Sequence, residues 1–137
     1  MAKRWDKGKE TRDIVERFTV GKDYLYDRRL VLADCAGSVA QARQLERLGI
    51  LSSEERNSLE AELQAIAKDA AAGTFLVSPE DEDCHTAIEN RLTERLGEAG
   101  KRIHAGRSSN DQSATALRLW LREAIRQLAG EVLDLAS

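Results

Sequence analysis

Proline occurs once in these 137 residues, as Pro79, and glycine nine times. That is too little of either for a disordered chain or a turn-rich β fold. Cysteine occurs twice, as Cys35 and Cys84, far apart in sequence. The N-terminus, Met1–Gly8, has basic residues but no apolar run behind them, so it does not read as a secretory leader. The two cysteines therefore read as reduced thiols of a cytoplasmic protein, filling small core positions. No stretch reaches the roughly 18 consecutive apolar residues that a membrane span requires. No large excess of one charge exists either: the net charge of −3 gives no reason to expect nucleic acid or an acidic membrane as partner. What remains is 42% hydrophobic and 33% charged, the balance of a globular chain long enough for one real core.

Apolar residues recur three and four apart between punctuating glycines at Gly49, Gly73, Gly97 with Gly100, and Gly106, and no convincing strand is present. The expectation is an all-α chain. Residues 1–17 read as a polar arm. A first helix is predicted over 22–48, with a stripe of Leu25, Leu32, Ala36, Val39 and Ala42; Gly37 within it calls for a close helix contact or a kink. A second is predicted over 53–72, opened by Ser52 and Glu55 as a capping box and buried through Leu59, Leu63, Ile66 and Ala70. A third over 79–97 is announced by Ser78-Pro79-Glu80-Asp81 and carries Cys84, Ile88, Leu92 and Leu96. A fourth over 108–136 has so wide an apolar face (Leu117, Leu121, Ala124, Leu128, Val132 and Leu135, broadened by Trp120, Ile125 and Ala129) that contacts on more than one side are expected. Its pattern stops in mid-stride at Ser137, which reads as a fragment of a longer protein.

The stretch His104–Ser113 has no large apolar side chain and abuts this fourth helix. Ser, Asn and Asp suit a helix cap, and the free N–H groups of a helix start favour an anion. Arg107 adds a forked donor for carboxylate or phosphate. An unusually polar cap is the alternative reading. Lys101, Arg102, His104 and Arg107 make a local positive patch, in which Lys101 and Arg102 read as ordinary loop charges. His85 has Asp81 and Glu89 one turn before and after it, and a carboxylate there would raise the ring's affinity for a proton; a solvent-exposed ion pair is the plainer account. Cys84 and His85 make a poor metal pair, since neighbours on a helix point about 100° apart and no other ligand cluster is recognisable. No metal or cofactor is expected.

Taken with Asp81-Glu82-Asp83-Cys84-His85, the polar loop resembles the argininosuccinate lyase family of the fumarase/aspartase superfamily. Phe18-Thr19-Val20-Gly21-Lys22-Asp23 followed by Asp27-Arg28-Arg29-Leu30, Gly37-Ser38-Val39-Ala40, Gly73-Thr74-Phe75 and Leu117-Arg118-Leu119-Trp120 match in order, so the resemblance runs from about Trp5 to the end. It implies an all-α N-terminal helical domain over 18–106 and, over 107–137, the first part of a long central-bundle helix. It implies cleavage of argininosuccinate to arginine and fumarate by β-elimination, within arginine biosynthesis, in a cytoplasmic homotetramer whose sites form between subunits. By resemblance, Asn110 contacts the substrate with Arg107, Ser108 and Ser109 around it, and Asp83 and His85 line the same pocket. Asp23 stands where the family commonly has a substrate-contacting Ser, and Ser109 where it has a second Arg. Ser-Ser-Asn-Asp is nearer the fumarase and aspartase version, so another fumarate-releasing lyase is the second reading; a helical interaction module without activity is the third. The family's Gly-Ser-Ser loop and Thr-His motif, which supply its catalytic base and His, have no counterpart within these residues, so the chain alone is expected to be inactive.

Overall fold

The computed structural model describes residue 18 and residues 22–137, all helix and connecting turn, with no strand among the described residues. The arm expected over 1–17 lies outside the described residues. Six α-helices follow: α1 (Asp23–Asp27), α2 (Val31–Arg47), α3 (Ser53–Ala71), α4 (Cys84–Leu96), α5 (Glu98–Arg102) and α6 (Ser109–Ala136). A short 3-10 turn over Pro79–Asp81 precedes α4. α2 packs along α3 and α6, and α4 fits against α3, α5 and α2, so α2 is the common wall of the assembly.

The α3 hairpin follows directly from local chemistry. Gly49, at φ +72°, reverses the chain after α2, and Ile50 N–H returns to the Leu45 carbonyl at 2.9 Å. Ser52 then opens α3 with the expected capping box: Glu55 N–H donates to Ser52 Oγ at 3.2 Å and Ser52 N–H to Glu55 Oε2 at 2.9 Å. Leu59, Leu63 and Ile66 are fully buried against Leu45, Val77, Ile88 and Leu92. Burying each such side chain contributes about 1.5–3 kcal/mol. Cys35 and Cys84 are free thiols inside this core, the role expected of them. Burial, helped by Asp34, pushes the Cys35 thiol up to about 12 and the Cys84 thiol higher still.

Three expectations need correction. The first helix is not continuous over 22–48: a turn at residues 28–30 separates α1 from α2. Its buried stripe is also rotated. Leu25, Leu32 and Ala36 are exposed, while Val31, Asp34, Cys35, Ser38, Ala42 and Leu45 face inward. The inward face carries two polar residues, so hydrophobicity alone points to the wrong side. Finally, the third helix begins at Cys84 rather than residue 79. Ser78 does cap the Pro79 turn, with its N–H and hydroxyl both donating to Asp81 Oδ2, at 3.0 and 2.8 Å. Glu82 then takes φ +68° and ψ −55°, a γ-turn closed by Asp83 N–H on the Asp81 carbonyl at 2.9 Å, and Asp83 starts a fresh helix.

Two glycines in helices have opposite environments. A Cβ on Gly100 of α5 would lie 2.3 Å from the Leu92 carbonyl oxygen of α4, so α5 can sit there only because Gly100 has none. A Cβ on Gly130 of α6 meets nothing within 4 Å. Gly37 holds a middle position, its Cβ site 3.4 Å from Thr115 Cγ2 of α6, so that of the contact and the kink open to it the helix contact is present. Gly100→Ala is accordingly expected to destabilise the chain by about 1–3 kcal/mol through overpacking. Gly130→Ala should stabilise it by about 0.4–1 kcal/mol. Urea unfolding of both variants checks the pair; equal effects would contradict this packing.

Candidate active-site wall at the start of α6

α6 begins as a capped helix. Ser108 is the N-cap: its Oγ accepts the Asn110 N–H at 3.2 Å, and its own N–H reaches Asp111 Oδ2 at 3.4 Å. The cap is thus Ser108, and the Asn110 side chain takes no part in it. Asn110 is exposed and Ser109 half-buried, both in the first turn, where the helix dipole and free N–H groups favour negative charge. The loop before them is anchored from α2. Gln41 Nε2 donates to the Ala105 carbonyl at 3.0 Å, and Gly106 turns the chain at φ +69°. Arg107 is drawn beneath the loop, where its Nη2 donates to Ser38 Oγ at 3.3 Å. Burial lowers its pKa against the opposing pull of Asp34, Glu89 and Asp111, yet a guanidinium keeps its charge. Its Nε is buried with no hydrogen-bond partner among the described residues.

Below this surface lies a polar centre that links three helices. Asp34 of α2 is 1% exposed and His85 of α4 is 4% exposed. His85 Nδ1 lies 2.7 Å from Asp34 Oδ2, and Gln112 Nε2 of α6 donates to both Asp34 oxygens at 3.1 Å. The other ring nitrogen, Nε2, lies 2.8 Å from Ser113 Oγ. His85 is therefore not an exposed residue paired along its own helix. Asp81 lies outside α4, occupied by Ser78 and by Asn90 Nδ2, and the carboxylate on the ring comes from Asp34 across the core. Asp83 is the N-cap of α4, accepting the Thr86 N–H at 2.7 Å, and Cys84 N–H donates to Asp27 Oδ2 at 3.2 Å. Asp23 opens α1; its side chain lies outside the described residues.

Asp34, Cys84 and His85 bring potential ligand atoms within 4.8 Å of one another, which corrects the expectation that Cys84 and His85 have no third group nearby. Their chemistry is that of a hydrogen-bonded core. Both Asp34 oxygens are occupied by His85 and Gln112, and burial holds Cys84 as a thiol, whereas a metal ligand must be a thiolate. Lys101 pairs with Glu98 and Arg102 with Glu55 and the Ile50 carbonyl, as ordinary structural charges.

The sequence motifs thus converge, with Arg107, Ser108, Ser109 and Asn110 in one turn and His85 behind it. Asp83 is drawn to the start of α4 instead. Sequence reasoning missed Asp34, Ser38 and Ser113. A signal existed for the first two: Asp34 and Ser38 are four apart and in register with Val31, Cys35, Ala42 and Leu45. Nothing in spacing linked Ser113 to His85, since that contact joins separate helices.

Such an all-α framework, with a polar helix start over a buried His–Asp pair, is that of a lyase: the family described as Lyase matches residues 8–137, and the chain belongs to it. The chain is 44% identical over 133 residues to the argininosuccinate lyase of Thermotoga neapolitana, covering 97% of this chain and 33% of that protein. It is 46% identical to the argininosuccinate lyase of Xanthomonas oryzae pv. oryzae strain PXO99A, over 84% of this chain and 27% of that one. The argininosuccinate lyase of Stenotrophomonas maltophilia strain R551-3 is 47% identical over 89% of this chain and 29% of its own length. The chain spans about a third or less of the length of these curated relatives.

Burial works against a charged His85 ring, but the hydrogen bond and charge of Asp34, with Asp83 and Asp27 nearby, outweigh it and raise the ring's pKa above 6.5. The folded chain therefore binds this proton more tightly than the unfolded chain. The resulting stabilisation is complete below about pH 6.5, the unfolded value, and is lost as pH rises through the higher folded value. Melting temperature measured against pH should fall across that window, and the fall should vanish in His85→Gln. A wild-type profile that is flat or rising there would refute the pairing.

Proposed function

We propose that this chain is the substrate-binding N-terminal portion of an argininosuccinate lyase, a carbon–nitrogen lyase that releases arginine and fumarate by β-elimination, in the cytoplasm and within arginine biosynthesis. The observation that carries this reading is the helix start of α6. Ser108 and Asp111 supply the capping box, so the side chains of Ser109 and Asn110 are left to face a ligand at a dipole that favours carboxylate. β-Elimination concentrates negative charge on a carboxylate already present in the substrate, and donors fixed beforehand around that carboxylate lower the barrier. Asn110 is the principal donor, with Arg107, Ser108 and Ser109 around it. His85 supports the wall from behind, Asp83 caps the helix that carries His85, and Asp23 lies on the short helix α1. Residues 18–106 form the N-terminal helical domain and residues 107–137 begin a central bundle.

The exposed stripe of α6 supports assembly into a homotetramer. Leu117, Leu121, Ile125, Leu128, Val132 and Leu135 are all exposed, Leu128 by 60% and Leu135 by 89%. At 1.5 Å per residue the 28-residue helix runs about 42 Å, well past the core that buries Gln112 and Ala116. An apolar face of that length on one helix marks a contact surface. Among the described residues, no helix is long and apolar enough to cross a membrane. Sedimentation of the 137-residue chain should therefore show self-association; a stable monomer with this face solvated would contradict it.

The catalytic reading is tested in the protein extended to the full length of its relatives. Asn110→Ala should slow turnover of argininosuccinate by about 10²–10³-fold, the usual cost of one such donor, with melting temperature unchanged. Ser108→Ala should instead lower stability by about 1 kcal/mol, the cost of a lost cap. A fully active Asn110→Ala protein would overturn the assignment. Ser109→Arg should preserve or raise activity toward argininosuccinate. If the protein ignores argininosuccinate but processes aspartate, malate or adenylosuccinate, the substrate is wrong and the superfamily reading stands.

A further inference from the structure

We propose that Ser113 is an anion-contacting residue of the α6 helix start, and that the buried Asp34–His85 pair is a positioning pair that sets which way the Ser113 hydroxyl proton points. The inference rests on the reading of this helix start as a carboxylate-binding site. Three observations carry it. Ser113 is three residues after Asn110 and four after Ser109, so the three share one face of α6. Ser113 is exposed, yet its Oγ lies 2.8 Å from Nε2 of a ring that is 4% exposed, so a surface hydroxyl is wired to a buried group. The opposite ring nitrogen is held 2.7 Å from Asp34, whose other contacts come from Gln112, the residue next to Ser113.

The consequence follows from counting protons. Asp34 is an acceptor, so Nδ1 carries a hydrogen in either state of the ring. When the ring is doubly protonated, Nε2–H donates to Ser113 Oγ. The serine proton is then released from the ring side and is available to donate outward, beside the donors of Ser109 and Asn110. When the ring is neutral, Nε2 accepts the Ser113 proton and the hydroxyl turns only lone pairs outward, toward an anion it would repel. The same serine thus attracts a carboxylate in one state and opposes it in the other. The charged groups around the ring are Asp34 of α2, Asp27 at the end of α1 and Asp83 at the start of α4. Arg107 faces Asp34 from the loop before α6, with Glu89 of α4 and Asp111 of α6 about it. Cys84 Sγ, 3.9 Å from Nδ1, is held neutral by burial. The carboxylates favour the doubly protonated ring, the state that presents the serine as a donor.

Carboxylate binding and protonation of His85 are then reciprocally linked. The test is a pH titration of the His85 ring by NMR in the 137-residue chain, with and without fumarate, for wild type, Ser113→Ala and Ser113→Thr. His85→Gln identifies the ring signal. Saturating fumarate should raise the ring's pKa by about one unit in wild type, and fumarate affinity should fall by about tenfold as the ring loses its proton. Ser113→Thr keeps the hydroxyl and should keep both effects; Ser113→Ala should lose both. If fumarate perturbs the amides of Ser109 and Asn110 while the ring's pKa stays fixed, or shifts equally in Ser113→Ala, the inference fails and the helix-start site stands. In that case the Ser113 proton rests on the Ser109 carbonyl one turn back, the usual alternative for a helical serine. If fumarate perturbs neither the amides nor the ring, the carboxylate-binding reading itself is overturned, and the inference with it.

Discussion

A carboxylate as deeply buried as that of Asp34 has to be matched by donors, because an unpaired charge in the core costs several kcal/mol. Its donors come from two other helices, His85 of α4 and Gln112 of α6. Three segments distant in sequence must therefore meet at one point, in one register, for the core to close. Hydrophobic packing would tolerate small slips of α6 along α2, whereas the Gln112–Asp34 contact does not. This constraint places the polar loop of residues 104–108 above α2, where Ser38 and Gln41 hold it. Buried ion pairs add little net stability compared with apolar packing, so the gain here is in geometry.

α6 consequently lives in two environments. Its first two turns are polar, capped and tied to the core; its remaining length projects an apolar stripe that is left exposed among the described residues. The division is the one the proposed function calls for, in which one end of the helix takes an anion and the other packs against further helices. Wherever the polar end is held, the apolar end is aimed with it.

Much of the framework was legible in the residues. The capping box of Ser52 and Glu55, the buried run of Leu59, Leu63 and Ile66, and the start of the last helix depend on interactions within a few residues, and the structure has them where spacing put them. The stripe of α2 was misjudged because Asp34 and Ser38 are buried polar groups, and a polar residue counts as outward until its partner is known. The break at Glu82 was hidden because Ser78, Pro79 and Asp81 are true helix-start residues, here spent on a single turn.

His85 shows the division most clearly. Its position on a helix, and the presence of carboxylates near it, followed from sequence. Which carboxylate binds it did not, because Asp34 lies 51 residues away and Ser113 lies 28 residues away on the other side. Local order along the chain determined the helices, their caps and the polar character of the loop, since each depends on neighbours three or four residues apart. Only the packing of α2, α4 and α6 decided that the ring is buried, that Asp34 is its partner and that its other nitrogen meets Ser113, since contacts between helices are set by the shape and pairing of whole faces.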